Sequence, residues 1–91
     1  MKLIGIYKSD RKDKKYFALF DNGKKVYFGA SGYQDFTIHR DEERKKRYIA
    51  RHEKNENWNN PLTAGSLSRW ILWNKPKLSE SIADYKKRFK V

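Results

Sequence analysis

The chain has 91 residues, of which 22 are Lys or Arg and 11 are Asp or Glu, so its formal net charge is +11. The absence of cysteine excludes disulfide frameworks and cysteine-based metal centres, and it is typical of a reducing compartment. No apolar run approaches the roughly 18 residues of a membrane span, and the first residues do not read as a secretory signal, so we expect no membrane span and no secretion.

Only 37% of the residues are apolar, which predicts one domain, 1–91, with a small core rich in aromatic side chains. The first part predicts three strands over about residues 2–28. Residues 8–15 form a wholly polar stretch that we interpret as an exposed loop between strands. Asn22-Gly23 lies between two aromatic runs, which is a strong signal for a two-residue type I′ hairpin turn.

A two-residue turn fixes which side chains share a face of the hairpin. It pairs Leu19 with Val26 and Phe17 with Phe28, and we expect these four side chains to face the core. The other face is then amphipathic and partly solvent-exposed, and it carries Tyr16, Ala18, Phe20, Lys25 and Tyr27.

The rest of the chain predicts three helices, over about residues 40–53, 63–74 and 79–90. Asp41 and the acidic residues that follow it suit a helix N-terminus, and Thr63 and Ser79 are predicted N-caps. Residues 29–39 contain two glycines and indicate a structured loop. The order predicts an α+β fold, in which an N-terminal three-stranded antiparallel meander is followed by three helices packed on one face.

All three tryptophans lie in one nearly uncharged segment, residues 58–75. Leu67, Trp70 and Ile71 are spaced as one helical stripe, which suits a core helix. Apolar side chains cover more of the circumference of this predicted helix than one packed face requires. Two interpretations stay open, burial on all sides or a partner interface made by Trp58, Trp70 and Trp73.

Positive charge is concentrated near both ends of the sequence and predicts polyanion binding. The candidate residues are Lys8, Arg11, Lys12, Lys14, Lys15, Lys86, Lys87, Arg88 and Lys90. On the partly solvent-exposed face of the hairpin, the candidates for stacking against bases are Tyr16, Phe20 and Tyr27. The alternatives are a solvated charged loop and aromatic side chains that fill a second core layer. Residues 41–60, with six basic and five acidic residues, are interpreted as a solvated element of mixed charge.

Signals for catalysis or metal binding are weak. His39 and Glu43 are four residues apart on one predicted helical face, but His39 and His52 do not have a recognised ligand spacing and a third ligand is missing. Gly29 to Gly32 lacks the residues of a phosphate-binding loop, and no serine has a histidine and an acid at a recognisable spacing. We therefore expect no enzyme activity, no catalytic residue, no metal and no cofactor.

Several strings carry a resemblance to a known group of proteins: Y-F-G-A-S-G-Y-Q-D-F-T-I-H-R-D-E-E-R (27–44), Y-I-A-R-H (48–52), N-E-N-W-N-N-P-L-T-A-G-S-L-S-R-W-I-L-W-N-K-P (55–76) and S-I-A-D-Y-K-K-R-F (81–89). They resemble a family of small proteins encoded by nucleocytoplasmic large DNA viruses, the giant viruses of algae and protists. The resemblance implies a viral source and a location in the virion or in the virus factory of the host cytoplasm. It implies no active site.

Two functions follow as expectations. The first is a non-enzymatic, small, basic structural protein, a minor capsid or virion-core component that contacts viral structural proteins and polyanions. The alternative is a sequence-independent DNA- or RNA-binding protein of the virus factory or packaged genome.

Overall fold

The computed structural model describes all 91 residues and shows an α+β fold. The sheet is antiparallel with strand order β1-β2-β3. Its strands are β1 (Leu3–Lys8), β2 (Lys14–Phe20) and β3 (Lys25–Ala30), and they are followed by α1 (Phe36–His39), α2 (Glu42–His52), α3 (Ala64–Leu67), which continues as a π-helical segment (Ser68–Leu72), and α4 (Leu78–Phe89). The predicted order of a meander followed by helices on one face is confirmed. None of the helices is both long enough and apolar enough to cross a bilayer.

The turn between β2 and β3 has three residues instead of the predicted two. The Phe20 N–H donates to the Lys24 carbonyl at 3.0 Å, and the Gly23 N–H donates to the Phe20 carbonyl at 2.9 Å. Gly23 has a φ of +85°, whereas Asn22 does not have a positive φ. A tight turn closed by a left-handed glycine is the usual three-residue hairpin loop. The type I′ prediction was wrong because Asn22 instead accepts the Lys24 N–H through its side chain at 3.0 Å.

The extra turn residue shifts the strand register by one, so the side chains of β2 exchange faces, whereas Val26 and Phe28 of β3 face the core as predicted. Leu19 pairs with Lys25, and Phe17 pairs with Tyr27, so both predicted pairs were wrong. The inner face, which is buried or packed against the core, holds Tyr16, Ala18, Phe20, Val26 and Phe28. Phe17 and Leu19 therefore lie on the outer face, where the sequence had predicted Phe20.

The core lies between the inner face of the sheet and the helices. Leu67, Ile71 and Leu72 are buried against Phe20 and Phe28, and Tyr85 closes the cluster from α4. The Tyr85 hydroxyl donates to the Pro61 carbonyl at 2.5 Å. The i, i+3, i+7 spacing of Ile82, Tyr85 and Phe89 predicts one apolar stripe on α4. The structure confirms it, because Tyr85 is buried in this cluster and Ile82 and Phe89 pack against it.

Two of the three predicted N-caps are present. The Asp41 carboxylate accepts the backbone N–H groups of Glu43 and Arg44, and the Thr63 side chain accepts that of Ser66 at 3.1 Å. These side chains satisfy N–H groups that the first helical turn leaves unpaired.

The third N-cap prediction was wrong, because α4 begins one residue before Ser79. Lys77 occupies the N-cap position without a side-chain hydrogen bond. The buried Ser81 ties down the preceding loop instead, since its hydroxyl accepts the Lys75 N–H at 2.9 Å.

Two local elements were not predicted. Residues 29–39, predicted as a loop, contain the one-turn helix α1, which Asp35 caps. The second predicted helix leaves α-helical geometry at Ser68, and the Trp73 N–H donates five residues back to the Ser68 carbonyl at 3.0 Å. A π-helical segment of this kind turns the following side chain away from the position that a regular α-helix would give it.

Gly29 provides a test of how the sheet meets the π-helical segment. Its φ is +80°, and an added Cβ would lie 2.8 Å from Leu72 Cδ1, whereas Gly23 has a φ of +85° and open space around it. We expect Gly23→Ala to lose about 1–2 kcal/mol of unfolding free energy from the left-handed backbone alone. Gly29→Ala loses a further ~1–3 kcal/mol from crowding against Leu72. Urea unfolding of both variants measures the difference, and equal losses would contradict the close approach.

Candidate functional site: a basic cleft

A cleft of about 510 Å³ opens between the end of the sheet, α2 and the start of α3. We call it the basic cleft, because its charged lining consists mainly of cations. The cations are Lys14 and Lys15 from β2 and Arg44, Arg47 and Arg51 from α2. Two carboxylates, Asp35 and Glu56, also reach it, together with His52.

The arginines share one side of α2 because they are spaced at i, i+3 and i+7. Tyr48 anchors the helix, since its ring is buried and stacks on Trp73 with centroids 4.4 Å apart and planes at 3°. None of the three guanidinium groups forms a salt bridge with a carboxylate. Their charge is therefore available to a ligand.

An aromatic stack forms one wall of the basic cleft. The His52 ring stacks on Tyr48 with centroids 4.4 Å apart, and Tyr48 in turn stacks on Trp73. Burial raises the pKa of Tyr48, so its hydroxyl stays protonated at neutral pH and adds no negative charge. Tyr48 and Trp73 therefore present uncharged aromatic faces beside the cations of the cleft.

Both carboxylates of the basic cleft already have partners. Asp35 pairs with Lys15 at 2.7 Å, with 3% of the Asp35 side chain and 16% of the Lys15 side chain exposed. It also accepts the Thr37 N–H at 3.0 Å and so caps α1. Glu56 accepts the Trp58 indole N–H at 3.0 Å and lies 3.6 Å from His52 Nδ1. Lys15 offsets the charge of Asp35, and the single charge of Glu56 is outnumbered by the remaining cations, so the net charge of the cleft is positive.

A second groove, about 320 Å³ in volume, joins the basic cleft. It is formed by the loop between β1 and β2, and Lys14 and Lys15 line both spaces. The predicted N-terminal cations that line it are Lys8, Arg11, Lys12, Lys14 and Lys15. The structure thus gathers this half of the predicted polyanion site into one continuous track.

The C-terminal half of the predicted polyanion site lies elsewhere. Lys86, Lys87, Arg88 and Lys90 are exposed on or just after α4 and line neither space. The Arg88 guanidinium lies 3.9 Å from the centroid of Trp70 and bonds Asp84 at 3.3 Å, so it has partners of its own. Sequence reasoning missed Arg44, Arg47 and Arg51, although their i, i+3, i+7 spacing was a readable signal.

The predicted set of stacking residues is not on one surface. Phe20 is fully buried, and Tyr16 packs against the core from the inner face. Tyr27 lies on the outer face, where its hydroxyl donates to Asp10 at 2.7 Å. The grouping was wrong because it depended on the two-residue turn.

The three tryptophans are half-buried and have partners within the chain. Trp58 bonds Glu56, and the Trp70 indole N–H donates to the Trp58 carbonyl at 3.1 Å. Trp70 also lies between the guanidinium groups of Arg69 and Arg88, at 4.2 and 3.9 Å from its centroid. Their role in a partner interface stays a prediction.

His39 and Glu43 do not share a helix, contrary to the prediction. His39 ends α1, and Arg40, with a φ of +55°, separates it from α2. His39 Nδ1 accepts the Asp41 N–H at 3.0 Å, and burial lowers the His39 pKa, helped by the charge of Arg44. The structure has no group of three or more His, Asp or Glu side chains that could share a metal ion.

The Lys15–Asp35 pair is tested by removing its negative charge while the cap is kept. Asp35→Asn preserves an N-capping side chain but leaves the Lys15 ammonium without a counterion in a site where it is only 16% exposed. We expect a loss of about 3 kcal/mol in unfolding free energy by urea titration. Asp35→Ala should lose about 1 kcal/mol more, because the cap is also removed.

The matched control for this pair is Asp13→Asn. Asp13 pairs with Arg11 at 3.4 Å, but both side chains are exposed, so the expected loss is less than about 1 kcal/mol. Equal losses for Asp35→Asn and Asp13→Asn would show that the Lys15–Asp35 pair does not hold the sheet to α1.

A match to a known protein family covers the part of the chain that contains the cations of the basic cleft. Residues 4–52 match a family described as a family of unknown function, DUF5754. The match includes all three strands, α1 and α2, whereas the tryptophan segment lies outside it. Neither a curated protein nor a solved structure matches the chain. Since the match spans more than half of the 91 residues, the chain belongs to this family of unknown function, DUF5754.

Proposed function

We propose that the protein is a non-enzymatic nucleic-acid-binding protein whose basic cleft takes the sugar–phosphate backbone without regard to sequence. One observation carries this proposal. Lys14, Arg44, Arg47 and Arg51 line a single cleft, and none of them is paired with a carboxylate. Phosphate contacts fix a protein on nucleic acid but carry no sequence information, which is why we expect no sequence preference.

The physical basis is neutralisation of phosphates with release of their counterions. A side chain that contacts a phosphate displaces a condensed cation, so binding is tight at low salt and weakens steeply as salt is added. Arginine suits this role because its planar fork can donate two parallel hydrogen bonds to one phosphate. The groove along the loop between β1 and β2 lengthens the cationic track and suits a chain-like polyanion better than a single small ion.

Binding without catalysis is proposed because both carboxylates in the cleft already have partners within the chain. Asp35 is held by Lys15, and Glu56 by Trp58. Neither carboxylate is placed as a free general base beside a nucleophile. As the setting, we propose the virus factory or the packaged genome of a large DNA virus, in line with the resemblance described above.

A structural role in the virion is the second candidate, and the edge of the sheet favours it. β1 is an edge strand, and Ile4, 55% exposed, lies at a register irregularity between Leu3 and Gly5. Edge strands with exposed apolar side chains can add a strand from another chain. If this role is correct, purified particles contain the protein in fixed stoichiometry, and its absence from them would remove this candidate.

Charge-matched variants test the basic cleft. Arg47→Gln removes a cation inside the cleft, and Lys87→Gln removes an exposed one on α4 outside it. We expect Arg47→Gln to reduce the slope of log affinity against log salt for duplex DNA by about 0.9, the value of one lost phosphate contact. Lys87→Gln should leave the slope nearly unchanged. Fluorescence anisotropy over a range of salt concentrations measures both.

Two results would contradict the proposed function. One is that the unaltered protein fails to bind duplex or single-stranded nucleic acid at low salt. The other is that Arg47→Gln and Lys87→Gln change the slope equally, since binding would then depend on overall charge and not on the cleft.

A further inference from the structure

The outer face of the sheet carries three aromatic rings in line, one from each strand. Tyr7, Phe17 and Tyr27 are direct cross-strand partners, so their side chains point the same way. The ring centroids of Tyr7 and Phe17 are 5.6 Å apart, and those of Phe17 and Tyr27 are 5.4 Å apart. We call these residues the outer aromatic row.

The outer aromatic row is not part of the core. The helices pack on the opposite face, where Ala18, Phe20 and Phe28 are buried. Tyr7 is 45% exposed, and Phe17 and Tyr27 are half-buried by one another and by their neighbours. Cross-strand aromatic pairs stabilise a sheet, and the exposed part of these rings is also open to a ligand.

Cations lie directly over the row. Lys25 Nζ is 5.1 Å from the centroid of Phe17, and the Arg11 guanidinium is 5.2 Å from that of Tyr27. Both are exposed, so they can swing aside at little cost, and an exposed cation–π contact is weaker than the stacking of a nucleobase on an aromatic ring. A base can therefore displace them from the rings while they stay close enough to meet its phosphate.

Two acids lie near the row and offset part of this positive charge. The Asp10 carboxylate accepts the Tyr27 hydroxyl at 2.7 Å, and this hydrogen bond lowers the Asp10 pKa. Asp13 pairs with Arg11 at 3.4 Å. Lys25 has no carboxylate partner, so an apolar protein partner would bury its charge without a counterion, which is costly. A single-stranded nucleic acid supplies both the flat bases and the phosphates that this surface matches.

The row is also continuous with the cationic track. Arg11 lies over Tyr27 and at the same time lines the groove that leads through Lys14 and Lys15 to the basic cleft. A single-stranded nucleic acid whose sugar–phosphate backbone lies in the groove can therefore place its unpaired bases on the neighbouring rings.

We propose that Tyr7, Phe17 and Tyr27 form a base-stacking platform that makes the protein prefer single-stranded over duplex nucleic acid. This inference deepens the proposed function and rests on it, because the basic cleft supplies the backbone contacts. Duplex bases are already stacked and paired, so they cannot reach the row, whereas every base of a single strand has a face free to stack.

The test uses the full chain and dye-labelled oligothymidine of about 20 nucleotides, longer than the largest site typical of one such surface, with a duplex of equal length as comparison. Tyr7→Ala should weaken single-strand binding by roughly tenfold, the effect of one lost stacking ring, and leave duplex binding unchanged. Tyr7→Phe keeps the ring and should bind as the unaltered protein does. Ile4→Ala is the matched control, since it truncates an exposed apolar side chain of the same strand.

The outcomes separate this inference from the proposed function. If the unaltered protein binds both nucleic acids but Tyr7→Ala has no effect, or weakens single-strand and duplex binding equally, the platform is refuted and the basic cleft stands. If the unaltered protein binds neither, both proposals fall. Circular dichroism verifies that each variant is folded.

Photocrosslinking to an oligonucleotide that contains 5-iodouracil gives an answer that does not depend on any variant. Adducts at Tyr7, Phe17 or Tyr27 support the platform. Adducts found only on the helices would overturn it.

Discussion

The left-handed backbone at Gly23 is the constraint on which the rest of the structure depends. It closes a three-residue turn, and the third residue decides which half of the hairpin side chains enters the core. With Phe20 and Phe28 inside, the helices have an apolar surface to cover, and Phe17 and Tyr27 are left outside beside Tyr7. The core and the outer aromatic row are therefore two consequences of a single register.

The basic cleft depends on two ties that hold distant parts of the chain together. The Lys15–Asp35 pair joins β2 to the start of α1, and the stack of Tyr48 on Trp73 joins α2 to the end of the π-helical segment. Between these ties the arginines of α2 face the end of the sheet without acidic partners. In a chain with a net charge of +11, acids are too few to neutralise every cation, and the fold places four of the unpaired ones, Lys14, Arg44, Arg47 and Arg51, in one cleft.

Sequence patterns predicted the α+β order, the three strands, the Asp41 and Thr63 caps and the apolar stripe of α4, because each follows from local periodicity or capping chemistry. They failed for the hairpin faces because Asn-Gly suits both two- and three-residue turns, and the choice depends on how the strands pack against the helices. The N-terminal half of the cationic site was readable as a run of charge along the chain. The spacing of the α2 arginines was also readable, but their meeting with the N-terminal cations was not, because only the tertiary structure brings Arg47 near Lys14. The π-helical segment has no sequence signal that distinguishes it from a regular helix.

Backbone amide NMR of the labelled protein during titration with single-stranded DNA tests the central claim most directly, since it reports on the cleft and the sheet at once. The register and the cleft described here predict that shifts concentrate on β2, on the loop between β1 and β2 and on α2 from Arg44 to Arg51. Shifts confined to the exposed lysines of α4, or the absence of any saturable change, would contradict it.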